Sequence, residues 1–139
     1  MTLLHRASCV AIAGRAILIE GAPGSGKSSL ALALIDRGAV LIGDDGVTLE
    51  VRGGQLYASP PPNITGLLEV RNLGLLEFPV ISDVRVALIV ALDQHAPRFI
   101  EAAELAGRAG VMLPLIRLWP SETAPACKAE LALDRFGLT

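Results

Sequence analysis

Apolar residues occur along this chain in short blocks separated by glycine, proline and charge. Ala7–Ile12 and Ala16–Ile19 are two such blocks, joined by Ala13-Gly14. Blocks of this length read as strands, and a glycine free to take positive φ suits the tight turn between them. A glycine cluster follows, and the pattern then changes. Ser28–Arg37 reads as a helix stopped by Gly38. Ala39–Gly43 is again a buried strand, and Val47–Val51 with Gln55–Ala58 predicts a hairpin around Gly53-Gly54. Pro60-Pro61-Pro62 breaks the pattern. Ile64–Gly74 reads as an extended segment that puts Glu69 and Arg71 on one face, because side chains two apart in a strand share a side. Val84–Leu92 predicts a strongly apolar strand closed by Asp93. Ala96–Arg108 predicts a helix capped by Gly110. Val111–Trp119 predicts a strand that Pro114 confines to an edge or splits into two pieces. Thr123 is placed to cap a last helix running to Phe136, with Gly137 ending it. The sum is one α/β domain over residues 1–139, a mixed β-sheet with flanking helices.

Composition narrows the function. Net charge is −2 with no basic block, which argues against nucleic acid or an anionic membrane as partner. Aromatics make up 4% of the chain, too few for base-stacking platforms. The apolar fraction is 52%, yet the longest clean run, Val86–Leu92, is far too short to span a bilayer. The first residues lack the layout of a secretory signal. Cys9 and Cys127 lie far apart without metal spacing, so they read as buried, reduced thiols and fit a cytoplasmic protein.

The chemistry sits in Gly21-Ala22-Pro23-Gly24-Ser25-Gly26-Lys27-Ser28, a complete G-x-x-x-x-G-K-S phosphate loop between a strand and a helix. Its glycines let successive backbone N–H groups turn toward a polyphosphate, and the helix start adds its partial positive charge. Residues Gly21 to Ser29 form the candidate nucleotide-binding segment. Lys27 would reach the outer phosphates, and the Ser28 hydroxyl would hold Mg²⁺.

A length argument places two acids beside that loop. From Lys27 to Gly38 a helix climbs about 16 Å, and a five-residue strand returns about 16 Å. If the returning strand runs parallel to the one before the loop, Asp44 and Asp45 arrive next to the phosphates. Two carboxylates there suit metal binding or proton abstraction; the ordinary alternative is that the pair opens a turn with Gly46.

These residues together resemble the catalytic domain of bacterial HPr kinase/phosphorylase, in a short form without the N-terminal regulatory domain. The matching features run in order: His5 before the first strand, Ile17-Leu18-Ile19-Glu20 into the phosphate loop, Arg37-Gly38, Leu41-Ile42-Gly43-Asp44-Asp45, and Gly66-Leu67-Leu68-Glu69-Val70-Arg71-Asn72-Leu73-Gly74. The resemblance implies a serine protein kinase that uses ATP or pyrophosphate to modify HPr, the phosphocarrier of the sugar phosphotransferase system, and that can remove the phosphate by phosphorolysis. It implies Asp44 as the base, His5 close enough to tune it, Asp45 and Glu69 helping Ser28 with Mg²⁺, and Arg71 neutralising the transferring group. Hexamers are usual in that family. The chain departs from the pattern at Asn72, where the family has glycine, and at Pro120-Ser121-Glu122-Thr123, where an acid replaces an arginine. Those departures motivate a second reading, a nucleotide-sensing module that binds ATP and a partner without transferring phosphate. A small-metabolite kinase ranks third, because no arginine-rich lid is present.

Overall fold

Strand β3 (Arg15–Gly21) ends in the glycine loop, and the architecture is best followed outward from it. The computed structural model describes residues 2–63, 65–120 and 125–139. In chain order the other elements are β1 (Thr2–His5), β2 (Ser8–Ile12), α1 (Lys27–Asp36), β4 (Val40–Gly43), β5 (Val47–Arg52) and β6 (Gln55–Ser59). They continue with β7 (Leu67–Val70), β8 (Gly74–Glu77), β9 (Val84–Leu92), β10 (Glu104–Arg108), β11 (Val111–Leu118) and α2 (Pro125–Phe136). Among the described residues nine strands form one mixed sheet in the order β1-β5-β6-β9-β3-β2-β4, with β11 also on β9 and β10 on β11. β7 and β8 make a separate hairpin. This is the α/β architecture expected, and no helix among the described residues is long and apolar enough to cross a membrane.

Residues on alternate sides of β3 and β9 feed two cores. Ile17, Ile19, Leu88 and Val90 face the side covered by α1 and α2, where Leu30, Ala31, Leu34, Ala129 and Leu133 pack against them. Leu18, Val86 and Ile89 face the other side and meet Cys9, Ile42, Leu49, Leu56 and Leu113, a cluster built without the helices. The pairing of β3 with β9 shifts between Ala16 and Ile17. That irregularity is why Ala87 and Leu88 both belong to the helix-covered side while their neighbours alternate.

β4 runs in the direction the length argument requires, but not beside β3. β2 pairs antiparallel with both β3 and β4, so β4 is parallel to β3 with one strand between them. The three hairpin turns of the main sheet share one device: both central residues have positive φ, at Ala13-Gly14 (51°, 82°), Gly53-Gly54 (57°, 76°) and Ala109-Gly110 (51°, 81°). Such turns match the right-handed twist of the strands they join.

Three expectations are corrected. Ala96–Arg108 is not a helix; its second half is β10, paired along its length with β11. The alanines and glutamates there favour helix, but the Ala109-Gly110 turn closes a hairpin that pairs Glu104–Arg108 with β11 instead. Val111–Leu118 is one continuous strand between β10 and β9, not an edge. Pro114 is tolerated because the ladder to β9 begins only at Leu115. Arg71 does not share a strand with Glu69, because β7 ends at Val70 and a turn closed by Leu73 N–H to Val70 C=O (2.9 Å) follows. The last helix is present from Pro125 to Phe136, with Gly137 N–H on Leu133 C=O. Its expected cap Thr123, like Ser121 and Glu122, lies outside the described residues. Cys9 is buried as expected, whereas Cys127 on α2 is only half-buried; both are free thiols.

Candidate active site

The sequence Gly-Ala-Pro-Gly-Ser-Gly leaves β3 as a loop because its backbone takes turns that favour glycine: φ is 78° at Gly24 and 105° at Gly26. Gly26 then caps α1, its carbonyl accepting from Leu30 N–H at 2.9 Å. Lys27 Nζ folds back over the loop and donates to the carbonyls of Gly21 (2.9 Å) and Ala22 (3.3 Å). Ser25 N–H also donates to Ala22 C=O, at 3.0 Å. The Ser25 hydroxyl is buried without a partner, an unspent donor inside the cradle. A Cβ on Gly21 would lie 2.5 Å from that hydroxyl, so the loop's curvature depends on the glycine.

The loop opens on a cleft of about 410 Å³ lined by Arg6, Gly21, Pro23, Gly24, Gly26, Lys27, Ser28, Ser29, Asp45, Glu69 and Arg71. The sequence-predicted loop residues therefore share a cavity with Asp45, Glu69 and Arg71. Glu69 comes from β7 and Arg71 from the turn after it, so two different backbone conformations carry them to one place. Asn72, at φ 74°, holds the left-handed conformation that asparagine tolerates better than most residues.

The acid pair divides. Asp44 Oδ1 accepts from the Ser28 hydroxyl at 2.6 Å and from the Ser8 hydroxyl at 2.9 Å, and Oδ2 accepts from Glu69 N–H at 3.1 Å. Asp44 thus binds the loop serine itself, ties in Ser8 at the start of β2, and fixes β7. Asp45 takes positive φ (56°), which swings its exposed carboxylate into the cleft instead. The direct hydrogen bond to Ser28 is thus made by Asp44, while Asp45 shares the cleft with Ser28 and Glu69.

His5 also differs from expectation. Its Nε2 lies 2.8 Å from Glu20 Oε2, not on Asp44. Glu20, the last residue before the loop, is gripped from the other side by a two-pronged bond from Arg108, Nε to Oε2 at 2.9 Å and Nη2 to Oε1 at 2.7 Å. Burial pushes the Glu20 carboxyl up, but the hydrogen bonds and charges of Arg108 and His5 outweigh it and hold it at about 2. Sequence reasoning missed Arg6, Ser8, Glu20 and Arg108. A charged residue closing an apolar strand was the available signal for Glu20; Arg108 lay in a segment read as helix.

The donor set fits a nucleotide with Mg²⁺. The loop offers the Lys27 cation and the unpartnered Ser25 hydroxyl. The hydroxyl of Ser28 and the carboxylates of Asp44, Asp45 and Glu69 are the hard oxygens Mg²⁺ prefers. No cluster of three or more His, Cys, Asp or Glu residues shaped to hold a metal occurs among the described residues. Mg²⁺ on a phosphate loop does not require one, since phosphate oxygens and waters complete its shell.

The family model for the HPr serine kinase C-terminal domain matches residues 2–101. The HPr kinase/phosphorylase of Clostridium tetani is 39% identical over 92 residues, covering 61% of this chain and 30% of that protein. That of Bordetella petrii is 44% identical over 91 residues, covering 63% and 30%. A solved structure of the HPr(Ser) kinase/phosphatase from Coxiella burnetii superposes with a TM-score of 0.79 at 25% identity, over 93% of this chain and 86% of that one. The aligned part of this chain spans about 30% of the length of these curated relatives.

Proposed function

The chain belongs to the family of HPr serine kinase C-terminal domains, and we propose that it transfers the γ-phosphoryl group of ATP to a serine of an HPr-like phosphocarrier. The observation that carries this reading is the shared cleft. Lys27 and Ser28 of the phosphate loop stand across one cavity from Asp45, Glu69 and Arg71. Phosphoryl transfer asks a protein mainly for alignment and cancellation of charge. The loop amides, Lys27, Arg71 and Arg6 supply positive charge around the phosphates. Asp45 takes the proton of the attacking serine hydroxyl as its oxygen bonds to the γ-phosphorus, and ADP leaves. Asp44 and Ser28, hydrogen-bonded to each other, would hold Mg²⁺ with help from Glu69, and the ion would supply neutralisation of phosphate charge there. The roles first assigned to the two aspartates are thus exchanged. In a separate phosphorolysis, inorganic phosphate attacks the phosphorus of the phosphoserine, the serine oxygen leaves and takes a proton back from Asp45, and pyrophosphate is released.

The test is a transfer assay with purified protein, an HPr-like carrier and labelled ATP, followed by excess phosphate. Asp45→Asn is expected to bind Mg²⁺-ATP normally and lose at least a hundredfold in transfer rate, the usual scale for general base catalysis. Asp44→Asn is expected to weaken Mg²⁺-dependent nucleotide binding. Nucleotide-dependent carrier binding with no transfer by the unaltered protein would support the sensing module instead. Normal transfer by Asp45→Asn would return the base to Asp44.

A further inference from the structure

Three cations line the cleft, and they are not equivalent. Lys27 lies over the phosphate loop and donates to the carbonyls of Gly21 and Ala22. Arg71 belongs to the turn after β7, beside Glu69. Arg6 comes from the link between β1 and β2, and its side chain makes no hydrogen bond or ion pair among the described residues. An exposed arginine without a partner is ordinarily just solvated. Two features set this one apart.

The first is how firmly its backbone is held. Before it, His5 Nε2 lies 2.8 Å from Glu20 Oε2, and Arg108 grips the same carboxylate through both oxygens. After it, Ala7 is fully buried and the Ser8 hydroxyl donates to Asp44 at 2.9 Å. The link is anchored on both sides, so a free guanidinium is tethered at the cleft by a backbone that cannot swing away.

The second is the end of the cleft it serves. β1 pairs with β5 as far as His5 opposite Val47. Carrying that antiparallel register one residue further sets Arg6 opposite Gly46, next to Asp45. Arg6 therefore stands with the carboxylate that takes the serine proton, not with the loop that cradles the donor. That end has an electrostatic problem of its own. A phosphoserine carries a charge of about −1.5 to −2 at pH 7. Once formed, it lies against Asp45, a like charge. A guanidinium offsets that repulsion and can give a phosphate two parallel N–H bonds.

We propose that Arg6 binds the phosphate group when it is on the carrier's serine, so that this chain holds the phosphorylated carrier more tightly than the unmodified one. Arg6 thereby sets the affinity for the substrate of phosphorolysis, while the loop sets that for ATP. The inference rests on the kinase reading for the identity of the carrier, but the binding can be measured without turnover.

The test is calorimetric titration of the full chain, without nucleotide or Mg²⁺, with an HPr-like carrier bearing either serine or phosphoserine. The unaltered protein is expected to bind the phosphoserine form at least about tenfold more tightly, the lower end for a charged hydrogen-bonded pair. Arg6→Gln is expected to remove that preference, and to weaken ATP binding far less. Arg6→Lys is expected to restore part of it, since the charge returns without the paired N–H groups. Arg98→Gln removes an equal charge outside this cleft and is expected to leave the preference intact. In phosphorolysis, Arg6→Gln should raise the KM for the phosphorylated carrier by the same factor it costs in binding. Equal binding of the two carrier forms by the unaltered protein overturns the inference, as does a preference that survives Arg6→Gln or falls equally in Arg98→Gln. A preference that depends on Arg6, in a protein that transfers nothing from ATP, would defeat the kinase reading and leave Arg6 as the contact to phosphoserine. Transfer from ATP with a preference indifferent to Arg6 would do the reverse.

Discussion

Asp44 and Asp45 are adjacent and chemically identical, and one backbone angle separates their work. Positive φ at Asp45 sends its side chain to the cleft, while Asp44 is held by two hydroxyls and an amide. The helix and strand lengths could deliver the pair to the loop, but they carried no information on which member faces it. That depends on Ser8, which lies one strand away and 36 residues earlier. Glu20 was equally illegible, since its partners lie 15 residues before it and 88 residues after it. Its low pKa has a measurable consequence. A carboxyl that is harder to protonate when folded contributes stability above its unfolded value near 4.5 and loses it as pH falls toward about 2. Unfolding followed between pH 5 and 2 is therefore expected to show Glu20→Gln less stable than the unaltered protein at the upper end, with the gap closing toward the lower. A gap that stays constant would mean the charge on Glu20 contributes nothing.

Elements were read well where the apolar pattern was strong and local, and poorly where tertiary pairing overrode propensity. β9, buried on both faces, was legible to the residue. β10 was not: its exposed Glu104, Leu105 and Gly107 lack a buried face, and only β11 makes it a strand. β1 likewise exists through β5. The turn joining β4 to β5 shows how tightly an element end can be specified. Gly43 keeps an ordinary backbone conformation, yet a Cβ there would collide with the Gly46 carbonyl oxygen and approach Pro61 at 3.3 Å. Backbone cannot move aside as a side chain can, so Gly43→Ala is expected to destabilise the protein by about 2 kcal/mol, within the overpacking range. It should also displace Asp44 and Asp45, lowering nucleotide affinity. Denaturant unfolding and an ATP titration on the same sample test both halves. An alanine variant of normal stability and affinity would show that the turn has room the structure does not.

At the scale of the whole molecule, the two cores share one sheet, and Cys9 reports on it. Burial pushes the Cys9 thiol far up, so it has almost no reactive thiolate while β2 stays between β3 and β4. In a Cys127→Ser background, a thiol reagent in excess can reach Cys9 only after the sheet opens, and its labelling rate follows the population of that open state. A ligand that binds only the closed protein lowers that population by the factor 1 + [L]/Kd. Mg²⁺-ATP at about one hundred times its dissociation constant is thus expected to slow Cys9 labelling about a hundredfold, equivalent to about 2.7 kcal/mol. Lys27→Ala should abolish the protection at the same ATP concentration, because the loop loses its cation. β2 touches the loop's serine through Ser8, Asp44 and Ser28, so the protection should pass through the sheet rather than stop at the cleft. Labelling that ignores ATP, in protein that demonstrably binds it, would mean that β4 peels from β2 locally, and that the phosphate loop and this side of the sheet open independently.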